Sequence, residues 1–423
     1  MSETRTIREN YRRVVFVSES PLSQRDAELY GFTTFLRAGL SVEVWDVTDI
    51  FLPGARNQHT DVIPEVTTIR FSNEPDLVRT IKTLRQDDVV FCFSGDSTHQ
   101  LWSHRRLLRG VSKGSALFVG LSVWHLPIAH SPMVATLRKR FKEVRFTWSD
   151  LNRILKGVIY RLSNTRIGER VIRLCVRVAG IGAFDHIWAG TQVSEISFAL
   201  RSDPSKITLI HSLDYDQFRN LPKSEPTDPF ICFIAGTGGL GGDSTMQIPD
   251  PSQLQAFTRE YFRRLNAVLN AVEERFGLPV VIAAHPRVSP GLYTPWVEGK
   301  RVVRGQTNQL IAQSSLVVAH DSTSIAIAAL TRKPLLLVYL GDFAETIDNP
   351  LRQQESIASF VSMLGCATID WTKPDWVDEL RVKAIEVDIA RCEDYVARLM
   401  KLPATPDGPF WEIVLDTELN PTH

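Results

Sequence analysis

Cysteine is scarce in this chain. There are five in 423 residues, Cys92, Cys175, Cys232, Cys366 and Cys392, and no two have CxxC spacing. A disulfide-framework fold is excluded, and reduced, buried thiols are the expectation. No cluster of Cys and His has the spacing of a zinc site, and no metal is expected. Net charge is missing as well. Lys plus Arg is 48 and Asp plus Glu is 48, so the chain has no overall basic field for nucleic acid. No apolar run reaches the roughly 18 residues that span a bilayer. The opening MSETRTIRENYRR has no apolar core, so no secretory leader is expected and a cytoplasmic placement follows. Internal repeats and low-complexity tracts are absent. What remains is a globular composition, 43% hydrophobic and 23% charged, at a length that suits two domains.

The pattern along the chain is strand, polar loop, helix, repeated. Tyr11 to Ser18 reads as a buried strand, followed by the loop SESPLSQRD and a helical stretch ending near Gly39. LSVEVWDV (Leu40 to Val47), DVVFCF (Asp88 to Phe93) and ALFV (Ala116 to Val119) are further strands. FDHIWAGT and ITLIHSLDYD look like the last two strands of a first domain. The polar segment 220–229, NLPKSEPTDP, has three prolines and is the best linker. The alternation then restarts with strands at Phe230 to Ala235, Leu278 to Ala284, Leu316 to Ala319 and Pro334 to Leu340. A long helix spans Gln253 to Phe276, and one or two helices cover 374–401. Such alternation implies an α/β fold of two Rossmann-like domains, 1–222 and 229–400, followed by a tail, 401–423. Phe410 and Trp411 in that tail are expected to dock elsewhere on the chain. Ligands in parallel sheets of this kind bind at the carboxyl ends of strands, so the loops there are the place to search.

Three such loops in the second half have phosphate-binding character. The first is Gly236-Thr237-Gly238-Gly239-Leu240-Gly241-Gly242, whose glycines let backbone N–H groups approach a phosphate or sugar. It is neither a Walker loop nor a dinucleotide fingerprint. The second is His285-Pro286-Arg287, able to hold a phosphate oxygen by charge-assisted hydrogen bonds. The third is His320-Asp321-Ser322-Thr323-Ser324 ahead of the apolar helix IAIAAL, where hydroxyls cap helix N–H groups or share them with an anion. Each also has an ordinary structural reading, as flexible loop, structural histidine and plain cap. In the first half the acids at strand ends are Glu19, Asp26 and Asp96, each equally readable as a solvated or capping acid. His211 and Asp214 are placed to line the cleft between domains. Between Val134 and Arg177 there are twelve Lys/Arg against three acids, and Leu151, Ile154, Leu155, Val158, Ile159 and Leu162 recur at helical spacing. This is either a core-packing helix with a basic outer face or a helix that lies on anionic lipid.

A strand ending in His-Pro, a strand ending in a Ser/Thr-rich helix start, then Arg-Lys-Pro and a hydrophobic strand, resembles the C-terminal domain of GT-B glycosyltransferases. The likeness is to bacterial sialyltransferases and capsule-type 3-deoxy-manno-octulosonate (Kdo) transferases. The first half, in YGFTTFLRAGLSVEVWDVTDIF and ITLIHSLDYDQF, is similar to surface-carbohydrate biosynthesis proteins. The resemblance implies an inverting, metal-independent transferase with a CMP-activated acidic sugar as co-substrate and no other cofactor. The acceptor would be a surface glycan, of capsule or lipopolysaccharide, or its lipid-linked precursor. His285, Pro286, Ser322, Thr323 and Ser324 would bind the nucleotide, with Gly236, Thr237, Gly238, Gly239 and Arg287 beside them. The acidic-acidic-glycine motif that supplies the base in that family has no clear copy here, which leaves Asp26, Glu19 and Asp96 as candidates. The basic stretch would bring the chain to the inner face of the membrane. Two other readings stay open. A teichoic-acid-type CDP-polyol phosphotransferase fits Asp321-Ser322-Thr323-Ser324 loosely, and a non-catalytic carbohydrate-binding protein fits the missing motif. UDP-sugar 2-epimerases match at Asp321-Ser322, but their paired glutamates fall here on Ile327 and Ala328.

Overall fold

The computed structural model describes residues 11–51, 61–92, 104–123, 184–191, 204–222, 228–236, 238–240, 250–286, 288–341 and 350–418. It contains two parallel sheets, each with helices packed on it. The first has seven strands: β1 (Arg13–Ser18), β2 (Ser41–Asp46), β3 (Val66–Arg70), β4 (Asp88–Cys92), β5 (Leu117–Ser122), β6 (His186–Ala189) and β7 (Ile207–Leu209). Their order is β3-β2-β1-β4-β5-β6-β7. The second has six: β8 (Ile231–Ile234), β9 (Val280–Ala284), β10 (Arg301–Arg304), β11 (Leu316–Ala319), β12 (Leu335–Tyr339) and β13 (Ala367–Asp370). Their order is β10-β9-β8-β11-β12-β13. Each sheet thus begins in the middle, grows to one edge and crosses back, as a doubly wound α/β unit does. The expected fold class, α/β with two Rossmann-like units, is what the chain adopts.

The central strands are buried on both faces, which is why they read as unbroken apolar runs. On β1, Val14 and Phe16 enter one core while Val15 and Val17 enter the opposite one. On β8, Ile231 and Phe233 face one core while Cys232 and Ile234 face the other. Three of the four edge strands differ. VTTIR of β3 and RVVR of β10 are half-buried to exposed, and ATID of β13 is buried only at alternate residues. None has an apolar run, and the sequence pattern missed all three.

The helix Pro251–Phe276 has the expected terminal chemistry. Asp250 caps its start, accepting from Ser252 N at 2.8 Å and Gln253 N at 3.2 Å. Pro251 opens the first turn, and Gly277 closes the helix at φ +63°. Phe257, Tyr261, Phe262, Leu265, Val268, Leu269 and Val272 lie on its buried face at helical spacing.

Two segments tie the units together. The helix Leu213–Arg219 puts Leu213 in the first core, while Tyr215 and Phe218 pack on the second. The tail contains a helix, Phe410–Glu418, which returns to the first unit. Trp411 donates from Nε1 to Leu29 O at 2.7 Å and its ring lies 5.4 Å from those of Phe35 and Phe91. Gly31, at φ +62°, makes room, since a Cβ there would meet Trp411 Cδ1 at 2.2 Å. Among the described residues, no helix is long and apolar enough to cross a membrane.

Candidate functional site

All strands of the second sheet point the same way, so the loops after β8, β9 and β11 share one edge. β8 and β11 are adjacent but far apart in sequence, and the sheet changes direction between them. In doubly wound sheets ligands bind at such a switch point, outside the carboxyl ends of the strands. The glycine loop flanks it on one side and the helix Ile325–Leu330 begins on the other.

Two buried tyrosines fasten the three loops. Tyr293 donates its hydroxyl to Gly236 O at 2.7 Å and accepts from His285 N at 3.3 Å, joining the glycine loop to the His-Pro turn. Burial pushes its phenol well above the usual range, so the proton stays in place. Arg304 Nε donates to Pro286 O at 2.7 Å and secures the other side of that turn. Tyr261, from the long helix, lies under the glycine loop, where a Cβ on Gly238 would meet its ring at 2.8 Å. Its hydroxyl is 3.1 Å from His320 Nε2. Gly238 and Gly239 adopt φ of +57° and +88°, and a Cβ on Gly239 would meet Thr258 Oγ1 at 2.2 Å. Both glycines are therefore required by conformation and by closeness to the helix.

His320 is buried and ringed by Phe233, Tyr261 and Trp371. Its Nδ1 is 2.9 Å from Val338 O. Burial lowers its pKa to about 4, with the Val338 carbonyl opposing the shift. A neutral ring with the proton on Nδ1 satisfies both contacts, and Nε2 then accepts from Tyr261. His320 is a structural anchor for the turn that follows. In that turn Ser322 Oγ accepts from Ser324 N at 3.2 Å, and Ser322, Thr323 and Ser324 are half-buried at the start of a fully apolar helix. The structure thus brings Gly236, Gly238, Gly239, His285, Pro286, Ser322, Thr323 and Ser324 to one edge. Thr237 and Arg287 lie outside the described residues.

The first sheet has its own switch point, between β1 and β4. Glu19 follows β1 there, and its Oε1 is 3.2 Å from Nε2 of His104, a residue with no cue in the sequence. Asp26 is placed differently. Its Oδ2 accepts from Ser23 N at 3.0 Å and Ser23 Oγ at 2.6 Å, while Ser23 Oγ accepts from Asp26 N, a reciprocal capping box for helix Gln24–Leu29. Ser23-x-x-Asp26 carried that signal in the sequence. Asp96 and the basic stretch 134–177 lie outside the described residues.

Behind this edge, at the seam with the second unit, His211 is fully buried with Nε2 3.3 Å from Asp216 Oδ1, which also accepts from Phe410 N at 2.9 Å. Asp214 is buried beside them, and burial raises its pKa to about 7, with Arg25 opposing. Among the described residues, no three His, Cys, Asp or Glu side chains gather as metal ligands.

No family model matches the sequence, and no curated protein matches it. Several solved structures are similar along most of the chain. The calicheamicin glycosyltransferase CalG4 is 12% identical over 91% of this chain and 93% of its own, with a TM-score of 0.43. The wall teichoic acid polymerase TagF is 11% identical over 96% and 89%, at 0.47. The glycotransferase of kitacinnamycin is 13% identical over 91% and 92%, at 0.42. Similarity at this level leaves the activity to be argued from the site's own residues.

Proposed function

We propose that this chain is a transferase acting on a nucleotide-activated sugar, held at the switch point of the second sheet. The observation that carries the reading is the fastening of three loops of phosphate-binding character to one edge by Tyr293 and Tyr261. Fixed backbone N–H groups and hydroxyls stabilise charge because they need no reorganisation when it develops. The nucleotide phosphate sits between the glycine loop, His285 and the Ser322–Ser324 turn, with Arg287 adding positive charge. The donor is a CMP-activated acidic sugar, Kdo or a nonulosonate, and transfer is inverting and needs no metal. Glu19, at the opposite switch point, takes the proton of the acceptor hydroxyl, a role Asp26 does not share because its carboxylate serves the capping box. The acceptor is a glycan or lipid-linked glycan of the cell surface. Residues 134–177 bring the chain to anionic membrane, and charge reversal at Arg153, Lys156 and Arg161 abolishes binding to anionic liposomes if they do.

The Asp321–Ser324 turn also suits a CDP-polyol donor. That reading keeps the three loops and changes the bond made, from carbon–oxygen to phosphorus–oxygen. Calorimetric titration with CMP, CDP, UDP and GDP, repeated on His285→Ala, tests the site. Selective CMP binding lost in the variant supports the acidic-sugar reading. A preference for UDP or GDP moves the donor class, and no binding by any of the four leaves a non-catalytic protein.

A further inference from the structure

We infer that His104 is the positioning partner of Glu19, and that the two form the base assembly of the acceptor side; the inference rests on the transferase reading above. Three neighbouring strands, in the order β2-β1-β4, build this place. β1 delivers Glu19 directly at its carboxyl end. The helix Thr48–Phe51, which follows β2, ends in Phe51, whose ring stacks on His104 at 3.8 Å between centroids and 27° between planes. His104 itself stands beyond β4, at the cap of helix Arg105–Ser112, where its carbonyl accepts from Leu108 N at 2.9 Å. The imidazole is held on its face by Phe51 and at its backbone by the helix. Its side chain is 3% exposed, against 22% for Glu19. The histidine is therefore the inner member of the pair, and the carboxylate is the one that reaches solvent.

That order decides the roles. A buried imidazole cannot meet an acceptor; its Nε2 lies 3.2 Å from Glu19 Oε1 without hydrogen-bond alignment in this structure, and with a proton on Nε2 a small turn of the carboxylate brings the two into line and fixes its direction. In the transfer step the acceptor hydroxyl gives its proton to the Glu19 carboxylate as its oxygen bonds to the anomeric carbon. The bond from that carbon to the donor phosphate breaks, and its electron pair leaves on the phosphate oxygen. Glu19 then returns the proton to solvent. His104 stays against the carboxylate throughout and exchanges no proton with substrate.

The test uses full-length protein in two arms. In the first, with ring-15N-labelled histidine, the His104 Nε2 resonance is identified by its loss in His104→Gln. It shifts in Glu19→Gln while other histidines stay put; an unmoved resonance overturns the pairing. In the second, CMP release is measured from CMP-Kdo, CMP-N-acetylneuraminate and CDP-glycerol. Glu19→Gln lowers kcat by about 10²-fold or more, the range of general-base catalysis. His104→Leu lowers kcat by about 10²-fold with KM for the donor nearly unchanged, as misplacement of a reacting group does. His104→Gln, whose amide can donate to the same carboxylate, recovers most of that loss. Wild-type kcat in His104→Leu, or a leucine-like kcat in a folded His104→Gln, overturns the positioning role. No CMP release by wild type overturns the transferase reading and this role with it, and the ring shift then shows whether the pair exists on its own.

Discussion

The carboxyl edge of the second sheet and the edge of the first are built in opposite ways. In the second, apart from Arg304 behind the His-Pro turn, the groups behind the loops are neutral and mutually satisfied: two phenols, an uncharged imidazole and backbone carbonyls. In the first, and at the seam beside it, the groups are ionisable: Glu19 with His104, His211 with Asp216, and a buried Asp214. A neutral, hydrogen-bonded scaffold holds a fixed shape near and above neutral pH, which suits binding an invariant nucleotide. Ionisable groups suit moving a proton. The contrast divides the labour of the proposed reaction between the two units. It also divides the way they are fastened, since the first unit is completed by Trp411 from the far end of the chain.

The largest expected effect breaks that fastening. Trp411→Ala removes a ring that fills the first core and costs about 3–5 kcal/mol in denaturant unfolding, the usual range for a buried aromatic. A loss below about 1 kcal/mol would show the tail helix to be dispensable.

A change of pH acts on the two regions with opposite sign. Asp214 has a folded pKa raised to about 7 from an ordinary 3.8. The folded state keeps a proton that the unfolded state releases, so its contribution is full below about pH 4 and is lost as pH rises to 7. The swing is on the order of 4 kcal/mol. Asp214→Asn removes it, and stability curves of wild type and variant that run parallel from pH 4 to 7 would contradict the assignment. His320 has the opposite sign. Its folded pKa is lowered to about 4 from 6.5, so its contribution is full above pH 6.5 and is lost as pH falls to 4. The swing is on the order of 3 kcal/mol. His320→Gln flattens that acid limb and leaves the Asp214 slope in place.

The smallest effect sharpens the comparison. Tyr293→Phe deletes one hydroxyl and leaves Gly236 O and His285 N without it, at a cost of about 1–3 kcal/mol. Amide hydrogen exchange rises together in 235–240 and 285–288 and stays unchanged at β1 and β4. Faster exchange in only one of the two segments would mean that Tyr293 does not couple them.

Much of this was readable in the sequence, for a physical reason. Strands such as VVFV, FICFIA and LVVA are buried on both faces by parallel neighbours and announce themselves as apolar runs. The loops after them are then placed without further information, which is how the glycine loop, His285-Pro286 and Ser322–Ser324 were found together. Of the four edge strands, β3, β10 and β13 gave no such run because solvent-facing residues interrupt it, while β7 kept the apolar ITLI and was readable. The fastening residues were hidden for another reason. Tyr261 and Tyr293 look like ordinary apolar-face residues, since the contacts by which they join separate loops, to His320 and to Gly236, reach 59 and 57 residues along the chain. His104 meets Glu19 only because β1 and β4 are neighbours in the sheet. Glu19 and Asp26 looked equivalent as acids after one strand, and only Ser23, three residues before Asp26, distinguished them.

The central claim is that the nucleotide sits on the second sheet's switch point, and amide hydrogen exchange with and without saturating CMP tests it most directly. The account predicts protection confined to 235–240, 285–288 and 321–325, with the carboxyl end of β1 unchanged. Protection at residues 18–23 instead, or none anywhere, would contradict it.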